Sequence, residues 1–321
     1  MRPAWKIAVL DDYQRVAHDV ADWESLAPAH PIFFHGPVCA DRLPGVLAPF
    51  DALVLMRERT LLNRGLIEQL PALRFVTTMG GRSTAIDLSA LAERGIPVSG
   101  TDPAPDADLA TATMTWALIL AITRDIVGAA SSVRAGGWAG KAGCDLQGKT
   151  LGVVGLGKVG IQVAHMARAF GMEVVAWSPK INPQRASAAG ALSLPLDALL
   201  SKADVVSLHL RLTDATRGLI DARRLMLMRP QSYLINTARG ALVDEGALFT
   251  QLRARRIAGA ALDTFGQEPL GAASPFRALD NVLATPHLGH ATRNNFRFGY
   301  SQAVENIAAA MAGRPIRLLR N

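Results

Sequence analysis

Cysteine and long apolar runs are both scarce in this chain. The two cysteines among 321 residues, Cys39 and Cys144, are too few for a disulfide framework or a structural zinc site. The apolar run at residues 117–122 is far below the ~20 residues that span a bilayer, so we expect no membrane segment. The apolar stretch between Lys6 and Asp11 is too short for a secretory signal. These scarcities predict a protein of the reducing cytoplasm without a metal site.

Charged residues make up only 19% of the chain and hydrophobic residues 50%, which is typical of a compact soluble protein. Lys and Arg outnumber Asp and Glu by 34 to 27, giving a formal net charge of +7. Such a balance favours nucleic acid or small anions as partners. The densest basic group, at residues 253–256, has no interleaved aromatic residues for base stacking. We therefore expect a small anionic ligand and no nucleic acid.

Short apolar runs alternate with helix-period stretches along the chain, a pattern typical of parallel sheets with crossover helices. The length suffices for about two domains, and the predicted strands form two series. They are residues 7–10, 32–34, 52–56, 74–77 and 97–99, and then 151–154, 173–177, 204–208, 233–236, 259–262 and 282–284.

A turn-rich break beginning at Asp102 separates the two series and precedes a predicted long apolar helix over about residues 107–126. Another helical pattern, at residues 294–311, follows the last strand. This second helix could fold back onto the first series.

Gly155, Gly157 and Gly160 form a G-x-G-x-x-G pattern between a predicted strand and a helical stretch at residues 161–170. The first glycine permits a tight turn, the second lets backbone N–H groups approach a pyrophosphate, and the third allows close helix–strand packing. The helix N-terminus adds a partial positive charge. In this strand–turn–helix context the pattern predicts dinucleotide binding rather than a merely structural turn.

The choice between NAD and NADP is left open by the next strand. Sites for NAD usually place Asp or Glu about 20 residues beyond the glycine loop, where it binds the ribose 2′-hydroxyl. Here Ser178 follows the strand and leaves room for a 2′-phosphate, while Lys180 either neutralises that phosphate or is an ordinary surface lysine. We take NAD(H) as the cofactor and keep NADP(H) open.

Three successive strands of the second series are followed by Arg239, Glu268 and His287. Because parallel strands end at one edge of their sheet, we expect these side chains to meet there. His287 would take a hydroxyl proton as a hydride leaves, Glu268 would orient the ring and favour the imidazolium, and Arg239 would bind a substrate carboxylate. Taken singly, each also fits a structural role, as a turn histidine, a loop residue or a surface ion pair.

Four stretches resemble the D-isomer-specific 2-hydroxyacid dehydrogenase family, namely residues 155–160, 236–240, 262–269 and 285–289. The resemblance covers nearly the whole chain and implies an oxidoreductase that interconverts a D-2-hydroxy acid and its 2-keto acid with a nicotinamide dinucleotide. The chain is similar to short D-3-phosphoglycerate dehydrogenase-like members. Because it ends at Asn321, we expect no regulatory domain.

The family's fold implies two α/β domains, both built on parallel sheets. A Rossmann dinucleotide-binding domain would cover residues 103–289, and a flavodoxin-like substrate domain would combine residues 1–102 with 290–321. By the same resemblance, the enzyme is a homodimer formed largely through the helix at 107–126.

The resemblance also assigns the site. Catalysis falls to Arg239, Glu268 and His287, and Asp263 would contact the nicotinamide carboxamide. The dinucleotide would otherwise contact Gly155, Leu156, Gly157, Lys158, Val159, Gly160, Ser178, Lys180, His209, Thr237, Ala238 and Gly289. The substrate would contact Arg57, Gly80, Gly81 and Arg82, with amides of this glycine-containing loop offered to its carboxylate.

Arg57, Arg59 and Arg82 suggest an acidic substrate with a second anionic group, although exposed salt bridges explain them equally well. Two departures from the family are Thr113, where glutamate is usual, and Arg211, where proline is common. We expect a structural role for His290, with an approach to the substrate as the alternative. The alternative function is a dinucleotide-sensing binding protein, like the co-repressors that resemble this family, but the intact catalytic trio favours an enzyme.

Overall fold

The structure is a computed structural model that describes residues 4–81, 83–138 and 140–320. The chain divides into two compact units. The first comprises Met1–Ala107 and Ala291–Asn321, and the second comprises Asp108–His290.

The first unit is built on a five-stranded parallel sheet. Its strands are β1 (Lys6–Val9), β2 (His30–Phe33), β3 (Ala52–Leu55), β4 (Phe75–Thr78) and β5 (Val98–Gly100). Its first helices are α1 (Ala17–Val20), α2 (Leu43–Leu47), α3 (Arg64–Glu68) and α4 (Leu88–Glu93). The strand order β2-β1-β3-β4-β5 is that of the flavodoxin-like fold.

The second unit is built on a seven-stranded parallel sheet. Its strands are β6 (Thr150–Val154), β7 (Glu173–Trp177), β8 (Leu192–Ser193), β9 (Val205–Leu208), β10 (Tyr233–Asn236), β11 (Gly259–Leu262) and β12 (Val282–Ala284). Its helices are α5 (Ala107–Thr123), α6 (Ile126–Arg134), α7 (Lys158–Ala169), α8 (Pro183–Ala188), α9 (Leu196–Lys202), α10 (Ala222–Leu227) and α11 (Glu245–Arg253).

In the strand order β12-β11-β10-β9-β6-β7-β8, successive strands are added on one side of β6 up to β8 and on its other side from β9 onward, as in the Rossmann fold. Strands β6, β9 and β11 are buried along their whole length, because helices cover both faces of the sheet. This explains why they read as continuous apolar runs. The predicted fold class, a Rossmann unit and a flavodoxin-like unit with parallel sheets, is confirmed.

The last helix, α12 (Arg293–Met311), belongs to the first unit. Its apolar side chains Phe296, Tyr300 and Ile307 are buried in the same core as Val54 and Phe75 of the first sheet. The C-terminal segment therefore returns to the unit in which the chain began.

Ten of the eleven predicted strands begin and end within one residue of the observed bounds. The eleventh is β2, which begins two residues before its predicted start. Strand β8 was not predicted, since it has only two residues and lies at the edge of its sheet. Leu192 is 58% exposed there, so no run of buried residues marks this strand.

The predicted helix over residues 107–126 is wrong at its C-terminal end. Helix α5 ends at Thr123, and Asp125 has a left-handed backbone with φ of 48° before α6 begins. The carbonyl of Thr123 accepts from the Cys144 N–H at 2.9 Å instead of continuing the helix.

No single helix in the described ranges is long and apolar enough to cross a membrane. Helices α5 and α6 meet the length and composition requirement only as a pair, and they are bent by 65° relative to each other.

Candidate active site

The glycine loop lies at the carboxyl end of β6, where the strand order of the second sheet reverses. Gly155 has φ of 107°, a left-handed conformation that strains other residues. A Cβ on Gly155 would lie 2.6 Å from the backbone of His209, and a Cβ on Gly160 would overlap the Gly155 carbonyl oxygen. The first and third glycines are thus required by close backbone approaches.

Gly157 caps α7 and leaves open space where a Cβ would be, with no heavy atom of the described residues within 4 Å. The first residues of α7 follow at once, so unpaired N–H groups border this space. Leu156 is buried and Val159 packs on the core, whereas Lys158 is 82% exposed at 3.9 Å from Asp108. This arrangement fits a dinucleotide pyrophosphate.

His209 follows β9 and lies against the glycine loop. Its N–H donates to the Val154 carbonyl at 2.7 Å, and its Nε2 lies 2.8 Å from the Ser207 hydroxyl. Burial lowers the pKa of His209 to about 3, so the ring is neutral at physiological pH. His209 is therefore a neutral ring beside Ser207, and its backbone packs against Gly155 of the glycine loop.

Ser178 is half-buried just after β7, and Lys180 is exposed. The Ser178 carbonyl accepts from the Ile181 N–H at 3.1 Å, which closes a turn. This turn carries no acidic side chain among Ser178, Pro179 and Lys180, all of which the structure describes.

His287 and Glu268 meet at the carboxyl edge of the second sheet. The His287 Nδ1–H donates to Glu268 Oε2 at 2.6 Å, and the Phe265 N–H donates to Glu268 Oε1 at 2.9 Å. The side chains of His287 and Glu268 are 20% and 28% exposed. Because Nδ1 is bound to the carboxylate, Nε2 is the nitrogen that can exchange a proton with a substrate.

Neighbouring groups stabilise the ionised form of Glu268. Burial raises the pKa of Glu268, but the hydrogen bond and charge of His287, the Phe265 N–H and the charge of Arg239 outweigh burial. The pKa of Glu268 therefore lies below its ordinary value, and the carboxylate is ionised at neutral pH.

Arg239 is half-buried beyond β10, and its guanidinium donates to the Ala238 carbonyl at 2.8 Å. The Asn236 side chain holds this loop by donating to the Arg239 carbonyl and accepting from the Ala238 N–H. A Cβ on Gly240 would overlap the backbone of Phe265, so the loops after β10 and β11 are in direct contact. The structure thus brings Arg239, Glu268 and His287 together.

Asp263 and Thr237, two of the expected cofactor contacts, are both buried. Asp263 is 0% exposed and accepts hydrogen bonds from Thr285, Leu288 and Gly289. Burial raises the pKa of Asp263, and these three hydrogen bonds oppose the rise. Thr237 is buried, with its hydroxyl 2.8 Å from that of Thr115 on α5.

The expected substrate residues lie in the first unit. Arg57 follows β3 with φ of 52°, and Gly80 follows β4 with φ of 103°. The Gly80 N–H donates to the Thr101 hydroxyl at 2.8 Å, so a substrate carboxylate would have to compete for this amide. Gly81 is exposed beside it, and Arg82 lies outside the described residues.

The contacts that hold Arg59 in the first unit were not predicted. Its guanidinium donates to the Asp11 carbonyl at 2.8 Å and lies 4.3 Å from the centre of the Tyr13 ring. The buried Asp11 carboxylate accepts from Thr60 and Tyr13. The adjacent residues Asp11, Asp12 and Tyr13 after the first strand were the available signal.

In the described part of the chain, no three His, Cys, Asp or Glu side chains are grouped as metal ligands would be.

Comparisons with known proteins place this site in context. The model of the NAD-binding domain of D-isomer-specific 2-hydroxyacid dehydrogenases matches residues 116–289. A glyoxylate reductase of Aeropyrum pernix is 40% identical over 274 residues, covering 82% of this chain and 81% of that one. A D-3-phosphoglycerate dehydrogenase of Synechocystis is 37% identical over 275 residues, covering 85% of this chain but 49% of that one. The chain thus spans about half of the latter relative.

Among solved structures, a phosphoglycerate oxidoreductase of Vibrio cholerae superposes with a TM-score of 0.91 at 35% identity. The match covers 96% of this chain and 99% of that one.

Proposed function

Since the chain belongs to the D-isomer-specific 2-hydroxyacid dehydrogenase family, we propose that His287 is the general acid–base of its reaction, with Glu268 and Arg239 as partners. The chain is an oxidoreductase that acts on hydroxy and keto acids with a nicotinamide dinucleotide. The observation that carries the assignment of roles is the 2.6 Å hydrogen bond between His287 Nδ1 and an ionised Glu268, at the sheet edge that also bears the glycine loop.

The roles follow from the chemistry of the side chains. In the reductive direction His287 Nε2–H donates a proton to the substrate carbonyl oxygen, and in the oxidative direction Nε2 accepts the hydroxyl proton. Glu268 holds the ring and stabilises its protonated form. Arg239 makes a two-pronged contact with the substrate carboxylate. When bound, the dinucleotide supplies or accepts the hydride.

We assign dinucleotide binding to the second unit, through Gly155, Gly157, Gly160 and the N-terminus of α7. We propose NAD(H) as the cofactor, because the matching family model is that of an NAD-binding domain. The turn after β7 has no acidic residue that would exclude a 2′-phosphate, so NADP(H) remains an alternative. From the resemblance we carry over Arg57, Gly80, Gly81 and Arg82 as substrate contacts, of which Arg82 lies outside the described residues. A small 2-keto acid such as glyoxylate is the first substrate to test, because the glyoxylate reductase is matched over most of its length.

We also propose a homodimer and a cytoplasmic location. None of the residues of α6 is buried, Ile126, Val127 and Val133 are more than half exposed, and Trp138 is 92% exposed. An apolar surface of this kind is typical of a protein interface. Cys39 and Cys144 are both free, which suits a reducing compartment.

The test is a set of initial rates of NADH and NADPH oxidation with glyoxylate, hydroxypyruvate, phenylpyruvate and 3-phosphohydroxypyruvate. We expect His287→Ala to lower kcat ~10²-fold or more while NADH binding is retained, because removal of a general acid–base leaves the cofactor site intact. His165→Ala, an exposed histidine on α7, is the matched control and should behave as the wild type. Equal turnover by the wild type and His287→Ala would refute the role of His287.

A further inference from the structure

His287 has a backbone conformation that few residues adopt without support. Its φ is 56°, in the left-handed region that costs a non-glycine residue free energy. The backbone N–H of His287 donates to the Thr285 carbonyl at 3.0 Å, which closes a tight turn. Glu268 binds the imidazole ring and the Phe265 N–H. Neither of these two hydrogen bonds holds the backbone on either side of His287. Another group must hold the backbone of residues 285–289, which we call the His287 turn.

The Asp263 carboxylate lies at the centre of the His287 turn. Its Oδ1 accepts from the Thr285 hydroxyl at 2.5 Å and from the Leu288 N–H at 2.7 Å, and its Oδ2 accepts from the Gly289 N–H at 2.7 Å. One donor precedes His287 in the chain and two follow it. The carboxylate therefore ties both ends of the turn to the end of β11.

The residues around Asp263 allow this close approach. A Cβ on Gly289 would lie 3.2 Å from Asp263 Oδ2, tighter than ordinary packing, so glycine at this position leaves room for the carboxylate. All three partners are donors, which suits an ionised carboxylate and not an amide. Asp263 is 0% exposed, so its hydrogen bonds are made away from solvent.

We propose that Asp263 is a positioning residue that holds the His287 turn and so sets the place of the imidazole. This role is distinct from the carboxamide contact that the family resemblance implies, because it acts through three hydrogen bonds made inside the protein. The inference rests on the proposed role of His287 in catalysis.

The first experiment measures amide hydrogen exchange in Asp263→Asn and wild type by mass spectrometry or NMR. The Leu288 and Gly289 amides donate to different oxygens of the carboxylate, and an asparagine keeps an acceptor at only one of these two positions. We expect exchange to rise about tenfold at whichever of these two amides loses its acceptor, as for the loss of one charged hydrogen bond. Unchanged exchange at both amides would overturn the proposal, whether or not the enzyme turns over.

The second experiment measures steady-state kinetics and the Kd of NADH for the same pair. We expect kcat to fall about 10- to 100-fold through misplacement of the imidazole, with the Kd of NADH within about threefold of wild type. Weaker NADH binding with an unchanged kcat would make Asp263 a cofactor contact and overturn the proposal. Absence of turnover in the wild type would instead contradict the proposed function, while the exchange experiment still decides the role of Asp263.

A milder pair of variants covers the case in which Asp263→Asn does not fold. Thr285→Val removes only the hydroxyl donor to Asp263 Oδ1, whereas Thr285→Ser keeps it. We expect the valine variant to lose kcat about tenfold and the serine variant to stay within about twofold of wild type. Equal kcat in the two variants would overturn the proposal.

Discussion

Glu268 provides a pH-dependent contribution to stability that follows from the sign of its pKa shift. A carboxyl whose pKa is lower in the folded chain than in the unfolded chain stabilises the fold above the unfolded value, and this contribution is lost as the pH falls through the folded value. The pKa of Glu268 lies below its ordinary value of 4.5 because of His287, Phe265 and Arg239, in spite of burial. Its contribution is therefore fully present at neutral pH.

We expect the free energy of unfolding of wild type to exceed that of Glu268→Gln at pH 7. The difference should shrink as the pH is lowered below about 4.5, because the carboxyl then becomes neutral in both states. Urea denaturation of both proteins across this range measures it. A difference of constant size down to pH 3 would contradict the prediction.

Ser178 is the residue expected beside the ribose 2′ position when the dinucleotide binds as proposed, and it carries no charge there. An Asp there would accept from a 2′-hydroxyl and repel a 2′-phosphate. We expect Ser178→Asp to raise the NADH-to-NADPH ratio of kcat/KM about tenfold or more, an effect of about 1.4 kcal/mol. Ser178→Ala is the matched control and should leave the ratio nearly unchanged, while an equal change in both variants would refute the prediction.

Residue-scale contacts differ in how far the sequence predicts them. The sequence predicted that His287 lies at the edge of the second sheet, because it follows a strand and parallel strands end at one edge. The hydrogen bonds of Asp263 were not, because they join residues more than twenty positions apart through the detailed path of a turn.

At the scale of elements, the loops after β10 and β11 carry Arg239 and Glu268, and their spacing depends on Gly240. A Cβ there would overlap the backbone of Phe265 and Gly266, which cannot move as a side chain can. The contact therefore fixes the distance between the two loops.

We expect Gly240→Ala to destabilise the protein by about 1–3 kcal/mol or more through overpacking, and to lower kcat by separating the two loops. The control is Gly246→Ala, at the start of α11, where a Cβ would make only ordinary contact with Asp244 at 3.5 Å. That variant should be neutral or more stable by up to ~1 kcal/mol. Thermal melting and steady-state rates check both, and similar melting of the two variants would contradict the prediction.

Elements were predicted best where burial makes a continuous apolar run. Strands β10 and β11, whose residues are nearly all buried, agree with the sequence prediction at both ends. The end of α5 was not predicted, because the left-handed Asp125 and the N–H of Cys144 terminate the helix, and neither leaves a periodic signal.

For the whole molecule, the apolar surface of the second unit bears on assembly. Helix α5 buries Trp116 and Ile119 within its own unit, whereas Ile126, Val127 and Val133 of α6 and the nearby Trp138 are exposed. Burial of this surface by a second copy would remove it from water.

We expect wild type to sediment as a dimer and Trp138→Glu to sediment as a monomer at micromolar concentration, because a charge would be buried without a partner. The matched control is Met226→Glu, which alters another exposed apolar residue, 67% exposed on α10, and should remain dimeric. Sedimentation velocity distinguishes the species. A monomeric wild type, or a dimeric Trp138→Glu variant, would contradict the proposal.

The family resemblance implied the fold class, and the sequence by itself determined the two series of strands, the glycine loop and the candidate trio Arg239, Glu268 and His287 at strand ends. These follow from local patterns: apolar runs, glycines at fixed spacing, and polar residues at strand ends. Tertiary structure alone decided which groups hold the candidate site residues. Asp263 accepts from the Leu288 N–H in the His287 turn, the Phe265 N–H donates to Glu268, and the Gly80 N–H donates to Thr101. These contacts join distant segments whose approach depends on packing of the folded chain, and no spacing in the sequence encodes that packing.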